Sequence, residues 1–124
     1  MLGDKDALVT IAVKDLKTAG KFYEETLGLK KTDAQEMGTL TYQSGSSKIL
    51  VYESSYAGTN QATAATWVVG DVDGVVKALK AKGVSFERYD LPDMTHEGDV
   101  HVAGDLRAAW FKDPDGNILA LVNG

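Results

Sequence analysis

Only two histidines occur in the 124 residues, and they bracket two carboxylates in one segment, His96-Glu97-Gly98-Asp99-Val100-His101. Imidazoles titrate near neutrality, so a pair of them beside Glu97 and Asp99 has the means to shuttle protons or to ligate a divalent cation. The spacing is not that of two histidines on one helical turn. The segment falls in a polar stretch, 91–106, read as a long loop between strands. A solvated loop that holds two histidines by chance explains the same pattern, and so does a lid that touches a ligand. The sequence has no cysteine, which removes thiol nucleophiles, disulfides and thiolate metal sites. It also has no glycine-rich phosphate loop, nucleophile elbow or Ser/His/Asp arrangement.

The other residues with binding chemistry are aromatic, and strand parity decides which way they face. Trp110 has the opposite parity to Phe111. With Phe111 packed under a helix, Trp110 faces a cavity and offers a stacking surface with one N–H donor. Core packing or a dimer interface is the other place for it. Trp67 alternates with Val69 on the helix side and is expected in the core. Ile49 and Val51 read as core, which leaves Tyr52 facing the cavity, and Thr10 and Thr66 are small polar candidates there.

The elements that must position these side chains occur twice. Residues 7–13 and 66–69 read as strands, each ending at a helix-capping aspartate, Asp15 or Asp71. Apolar residues then recur at helical spacing: Leu16, Ala19, Phe22, Tyr23 and Leu27 in one half, Val72, Val75, Val76 and Leu79 in the other. Gly28 and Gly83 are suited to left-handed C-terminal caps. Strands are expected at 30–34, 38–44 and 48–53, and again at 85–89, 108–112 and 117–122. Asp113-Pro114-Asp115-Gly116 is a turn between the last two: Pro114 presets φ and Gly116 accepts a positive one. The chain therefore reads as α+β, two βαβββ modules covering 1–58 and 59–124 of a single domain, paired into a concave mixed sheet with the helices outside. A module of about 55 residues buries too little apolar surface to stand alone.

Composition bounds the partners. The net charge is -5 and 44% of residues are hydrophobic, so a core forms and no basic stripe exists for nucleic acid. No apolar run is long enough to span a membrane, and the first residues lack the pattern of a signal peptide. A soluble, cytoplasmic protein is expected.

The repeated modules resemble the vicinal oxygen chelate superfamily, the group of glyoxalases, bleomycin resistance proteins and extradiol dioxygenases. The resemblance rests on Val13-Lys14-Asp15-Leu16, Phe22-Tyr23, Leu27-Gly28-Leu29, Val69-Gly70-Asp71-Val72, Gly83-Val84 and Phe111-Lys112-Asp113-Pro114-Asp115-Gly116-Asn117, in order along nearly the whole chain. It implies a homodimer, and a divalent metal held by His, Gln or Glu on the first and last strand of each module. The matching positions here are Leu8, Ala64 and Ala120, with either Leu50 or Tyr52 as the fourth. A catalytic zinc needs three protein ligands, and Leu8, Ala64 and Ala120 have no donor atoms. Glu53 enters only with a one-residue register shift that turns its neighbours outward.

The reading that follows is a protein without metal or other cofactor that encloses a small apolar or aromatic molecule, cationic ones included. The candidate contacts are Trp110, Tyr52, Thr10, Thr66, His96 and His101. Bleomycin resistance proteins sequester a drug, and the resemblance implies the same mode of action. The alternative is a metal-dependent lyase or dioxygenase of the glyoxalase type, with an atypical site using Glu53 or the histidines. A third is an interaction subunit whose cavity is packed shut.

Overall fold

The computed structural model describes residues 1–32 and 38–124. They form two compact units, Met1–Ala57 and Gly58–Gly124.

In the first unit β1 (Val9–Val13) leads through Asp15 into α1 (Leu16–Lys21). The Asp15 carboxylate accepts from the Lys17 N–H at 3.1 Å and from the Thr18 hydroxyl at 2.7 Å. Thr18 first, then Lys17, holds that carboxyl below its usual range. The helix continues as a π-helical turn, Phe22–Thr26, closed by the Leu27 N–H donating to the Phe22 carbonyl at 3.0 Å. Gly28 then reverses the chain at φ 76°. Next come β2 (Lys30–Lys31), β3 (Thr39–Ser44) and β4 (Ser47–Glu53). The expected strand 30–34 is thus observed only as Lys30–Lys31, and its positions 33 and 34 lie outside the described residues.

The sheet order is β1-β4-β3-β2, with β1 and β4 parallel and the other pairs antiparallel. Ile11, Val13, Tyr42, Ile49 and Val51 are buried together with Ala19 and Tyr23 of the helix. The Tyr23 and Tyr42 rings stack at 6.2 Å, and the Tyr42 hydroxyl donates to Glu24 at 2.8 Å. Burial, then that bond, pushes the Tyr42 phenol far above its ordinary range.

The second unit repeats the plan. It runs from β5 (Thr63–Val69) to α2 (Val72–Ala81), where Asp71 accepts from the Gly74 N–H at 3.0 Å. The helix ends in paired bonds, Gly83 N–H to Lys80 and Val84 N–H to Leu79, with Gly83 at φ 93°. Val72, Val76 and Leu79 line its buried face, and Phe111, Leu119 and Leu121 are buried on the strands that α2 packs against. The strands are β6 (Phe86–Glu87), β7 (Thr95–Glu97), β8 (Val100–Ala103), β9 (Leu106–Lys112) and β10 (Ile118–Asn123). Their order is β5-β10-β9-β8-β7, with β6 on β9 and only β5–β10 parallel.

One expectation is corrected. Residues 91–106 are not a solvated loop: β7 and β8 within them form a hairpin that extends the sheet beyond β9. One Gly-Asp turn closes this hairpin and a second ties it to β9. Gly98 (φ 63°) and Asp99 join β7 to β8, and Gly104 (φ 60°) and Asp105 join β8 to β9. Glycine at the first central position suits the two-residue hairpin turn that needs a positive φ there alone. The hairpin leaves β6 shorter than the expected 85–89. The other turn stands as read: Asp113 is buried, and Gly116 has φ 92°.

Candidate functional site

The face of the second sheet turned away from α2 carries the aromatic candidates. Register places Thr66, Ala120 and Trp110 side by side on β5, β10 and β9. The next row runs Val68, Val122, Ala108, His101, His96 across all five strands of the main order. Phe111, one residue from Trp110, is buried on the opposite face, as alternation along β9 requires. Trp110 is half-buried, and its indole N–H donates to the Thr63 hydroxyl at 3.2 Å.

Around Trp110 the rings form one cluster. His101 meets it edge-on at 4.8 Å and Tyr89 does so at 5.5 Å. His96 meets His101 at 4.6 Å, also edge-on. Both histidines are tied to the backbone of one residue. The Tyr89 N–H donates to His101 Nε2 at 2.9 Å, and His96 Nε2 lies 3.0 Å from the Tyr89 carbonyl. An N–H donor facing Nε2 assigns the His101 proton to Nδ1, and a carbonyl facing His96 Nε2 assigns a proton there.

His101 is fully buried. Its Nδ1 has no hydrogen-bond partner among the described residues, although the backbone groups of Ala108 and Tyr89 lie where they favour the charged ring. Burial first, then His96, lowers the His101 pKa below its ordinary value of 6.5. Sequence reasoning did not find Tyr89 or Thr63. The available signal was an aromatic residue at the end of an expected strand, without any indication that the histidines would reach it.

The Tyr89 hydroxyl is also buried without a partner among the described residues. Tyr89→Phe removes an unpaired polar group and little else, so it is expected to raise stability by up to about 1 kcal/mol in urea or thermal unfolding.

In the first unit Thr10 and Leu50, and Ala12 and Tyr52, are paired on the sheet face away from Ile49 and Val51. Thr10 is exposed, and Tyr52 is 37% exposed. Glu53 pairs with Val13, so the register does not exchange it with Tyr52.

The residues do not fit a metal at the positions that the sequence resemblance implies. Leu8 is half exposed, Ala64 is half-buried and Ala120 is buried, and none has a nitrogen or oxygen in its side chain. Among the described residues no three His, Asp or Glu side chains come together as a metal-holding group. The two histidines have their Nε2 atoms committed to Tyr89.

The comparisons with known proteins agree with this architecture. The family model described as the Glyoxalase/Bleomycin resistance protein/Dioxygenase superfamily matches residues 7–121. No curated protein matches the sequence. Among solved structures, the integron cassette protein HFX_CASS4 from the mobile metagenome of the Halifax Harbour sewage outfall is 21% identical, with a TM-score of 0.72 over 97% of this chain and 99% of that one. The fosfomycin resistance protein FosX of Listeria monocytogenes is 18% identical, with a TM-score of 0.73 over 98% and 93%. Lactoylglutathione lyase from Agrobacterium tumefaciens is 16% identical, with a TM-score of 0.71 over 98% and 96%. At these identities the likeness is one of fold.

Proposed function

Because the chain belongs to the glyoxalase/bleomycin resistance protein/dioxygenase superfamily, we propose that it is a metal-independent member that binds a small apolar or aromatic molecule, cationic ones included, against Trp110. The observation that carries this reading is the replacement of donor side chains by hydrocarbon at Leu8, Ala64 and Ala120, with the Trp110 ring next to Ala120 in register. Binding follows from desolvation and stacking. A half-buried indole whose N–H is already engaged presents its apolar face, and Thr66 beyond Ala120 supplies a hydroxyl to orient a polar group. No covalent step is needed. A homodimer working in the cytoplasm is part of the same reading, and sedimentation equilibrium measures the first of these.

Two fluorescent probes test the binding, the fixed cation N-methylacridinium and the neutral hydroxymethylanthracene. Saturable binding of either is expected, weakened at least about ten-fold by Trp110→Ala, which corresponds to about 1.4 kcal/mol. Equal affinity in the variant overturns the assignment of Trp110. Elemental analysis of the purified protein tests the rest: a stoichiometric divalent metal that a chelator removes with loss of an activity sinks the metal-independent reading.

A further inference from the structure

The cluster beside Trp110 contains an arrangement that binding alone does not require. Tyr89 lies just past the end of β6, where it has left the ladder with β9. Its backbone N–H and C=O are instead caught by two imidazoles from the β7–β8 hairpin. Each imidazole uses the nitrogen that its neutral tautomer makes suitable, a lone pair for the N–H and a proton for the carbonyl. We propose that His96 and His101 are a proton-operated clasp on Tyr89, closed when His101 is neutral and opened when it is protonated, and that opening loosens the aromatic wall that Tyr89 and Trp110 form.

The chemistry is a change of donor count. Neutral His101 has its proton on Nδ1 and accepts from Tyr89 at Nε2. A second proton has only Nε2 to occupy, where it faces the Tyr89 N–H, donor against donor. The bond is lost, and an imidazolium is left in a fully buried position. The surrounding charges do not relieve it. His96 and Arg88 both oppose a further positive charge on the ring, and the backbone groups of Ala108 and Tyr89, which favour it, do not outweigh burial. The carboxylates of the neighbouring elements are engaged elsewhere: Glu87 with Lys112 at 3.5 Å, Glu97 with Arg107 at 3.3 Å, and Asp99 with Lys80 at 2.6 Å. Asp90, next to Tyr89, is exposed.

The sign of the effect on stability follows from the same facts. The folded state resists protonation at His101 more than the unfolded chain does, so the unfolded state binds more protons just below pH 6.5. Stability therefore rises with pH between the depressed folded value and the ordinary one, and is flat with respect to this group on either side.

The loosening of the ligand wall rests on the binding reading given above; the clasp itself does not. The experiment is a pH titration of the whole protein by two-dimensional 15N–1H NMR, from about pH 8 to about pH 4.5, across the range in which an imidazole changes charge. The Tyr89 amide, the Trp110 indole N–H and the His101 ring are expected to move together with one midpoint below 6.5. Exchange of the Tyr89 amide with deuterium, corrected for intrinsic pH dependence, is expected to quicken at least about ten-fold on the acid side. A Tyr89 amide that stays put while His101 titrates overturns the clasp.

His101→Phe keeps the ring and removes the acceptor, so its Tyr89 amide should exchange fast at every pH. Should that variant not fold, the titration of the unaltered protein still decides. Affinity for N-methylacridinium, whose charge does not change with pH, is expected to fall at least about three-fold through the same midpoint. PH-independent affinity removes the regulatory half of the proposal. Failure of the probe to bind counts against the binding reading, and the amide titration judges the clasp alone.

Discussion

Replacing Gly58 by alanine is expected to destabilise the second unit by about 3 kcal/mol or more, the range reserved for backbone strain combined with a clash that nothing can relieve. Gly58 has φ 74°, and a Cβ placed there runs into the carbonyl of Asp115, a backbone group in the turn between β9 and β10. A flexible side chain could swing aside; a carbonyl held in a turn cannot. Gly28 supplies the control. It has nearly the same conformation, φ 76°, but nothing within 4 Å of where a Cβ would stand. Gly28→Ala should therefore lose only the conformational preference, about 1 kcal/mol. Urea unfolding of the two variants measures the difference. Equal losses would mean that the approach of Gly58 to Asp115 is not tight in solution.

The second large effect is centred on the same turn. Asp113→Ala is expected to cost about 3 kcal/mol, because a buried carboxylate with several donors leaves them all stranded. Asp113 Oδ1 accepts from the N–H groups of Asp115 and Asn117, both at 2.9 Å, and Oδ2 accepts from the Asn117 side-chain amide at 2.7 Å. Asp113→Asn keeps an oxygen for the two backbone donors but sets one amide against another at Asn117. It should lose about half as much. Adding Asn117→Asp restores a donor facing an acceptor, so the double variant should recover part of that loss. Thermal unfolding of the three variants checks the order. A double variant no better than Asp113→Asn would mean that the side-chain pair contributes little.

The approach of Gly58 and the bonds of Asp113 locate the value of the polar turn that precedes the apolar strand β10. Its aspartate is structural: one oxygen accepts from two N–H groups of the turn and the other from the Asn117 side chain. The strand after it has Ala120 on the face away from α2, beside Trp110. The last hairpin therefore contributes precise geometry and an apolar surface, which is what binding by stacking uses.

Local chemistry was enough for much of this. Asp15 and Asp71 cap helices because a carboxylate one residue before a helix meets unpaired N–H groups wherever the chain ends up. Gly28 and Gly83 end them because a left-handed residue excludes most side chains. Period-two alternation placed Trp110 opposite Phe111 and Tyr52 opposite Val51, since neighbours on a strand cannot share a face. The hairpin of residues 95–103 was legible in part: two Gly-Asp pairs six residues apart are turn signals, and the shortness of the strand between them masked the pattern.

Tertiary structure alone decided the state of the histidines. Gly98-Asp99 marks a turn in His96-Glu97-Gly98-Asp99-Val100-His101, but nothing in the segment says whether the residues on either side pair as strands. Strands of three and four residues are held by the sheet they join, here through His101 against Ala108, and not by their own propensity. Once β8 pairs with β9, His101 is buried beside Trp110 and its Nε2 comes within 2.9 Å of the Tyr89 N–H. That contact spans 12 residues of sequence and depends on where a sheet edge ends. Caps, turns and facing directions are short-range physics written in adjacent residues, whereas the burial of an imidazole and the partner it meets are set by which edge is available when the hairpin docks.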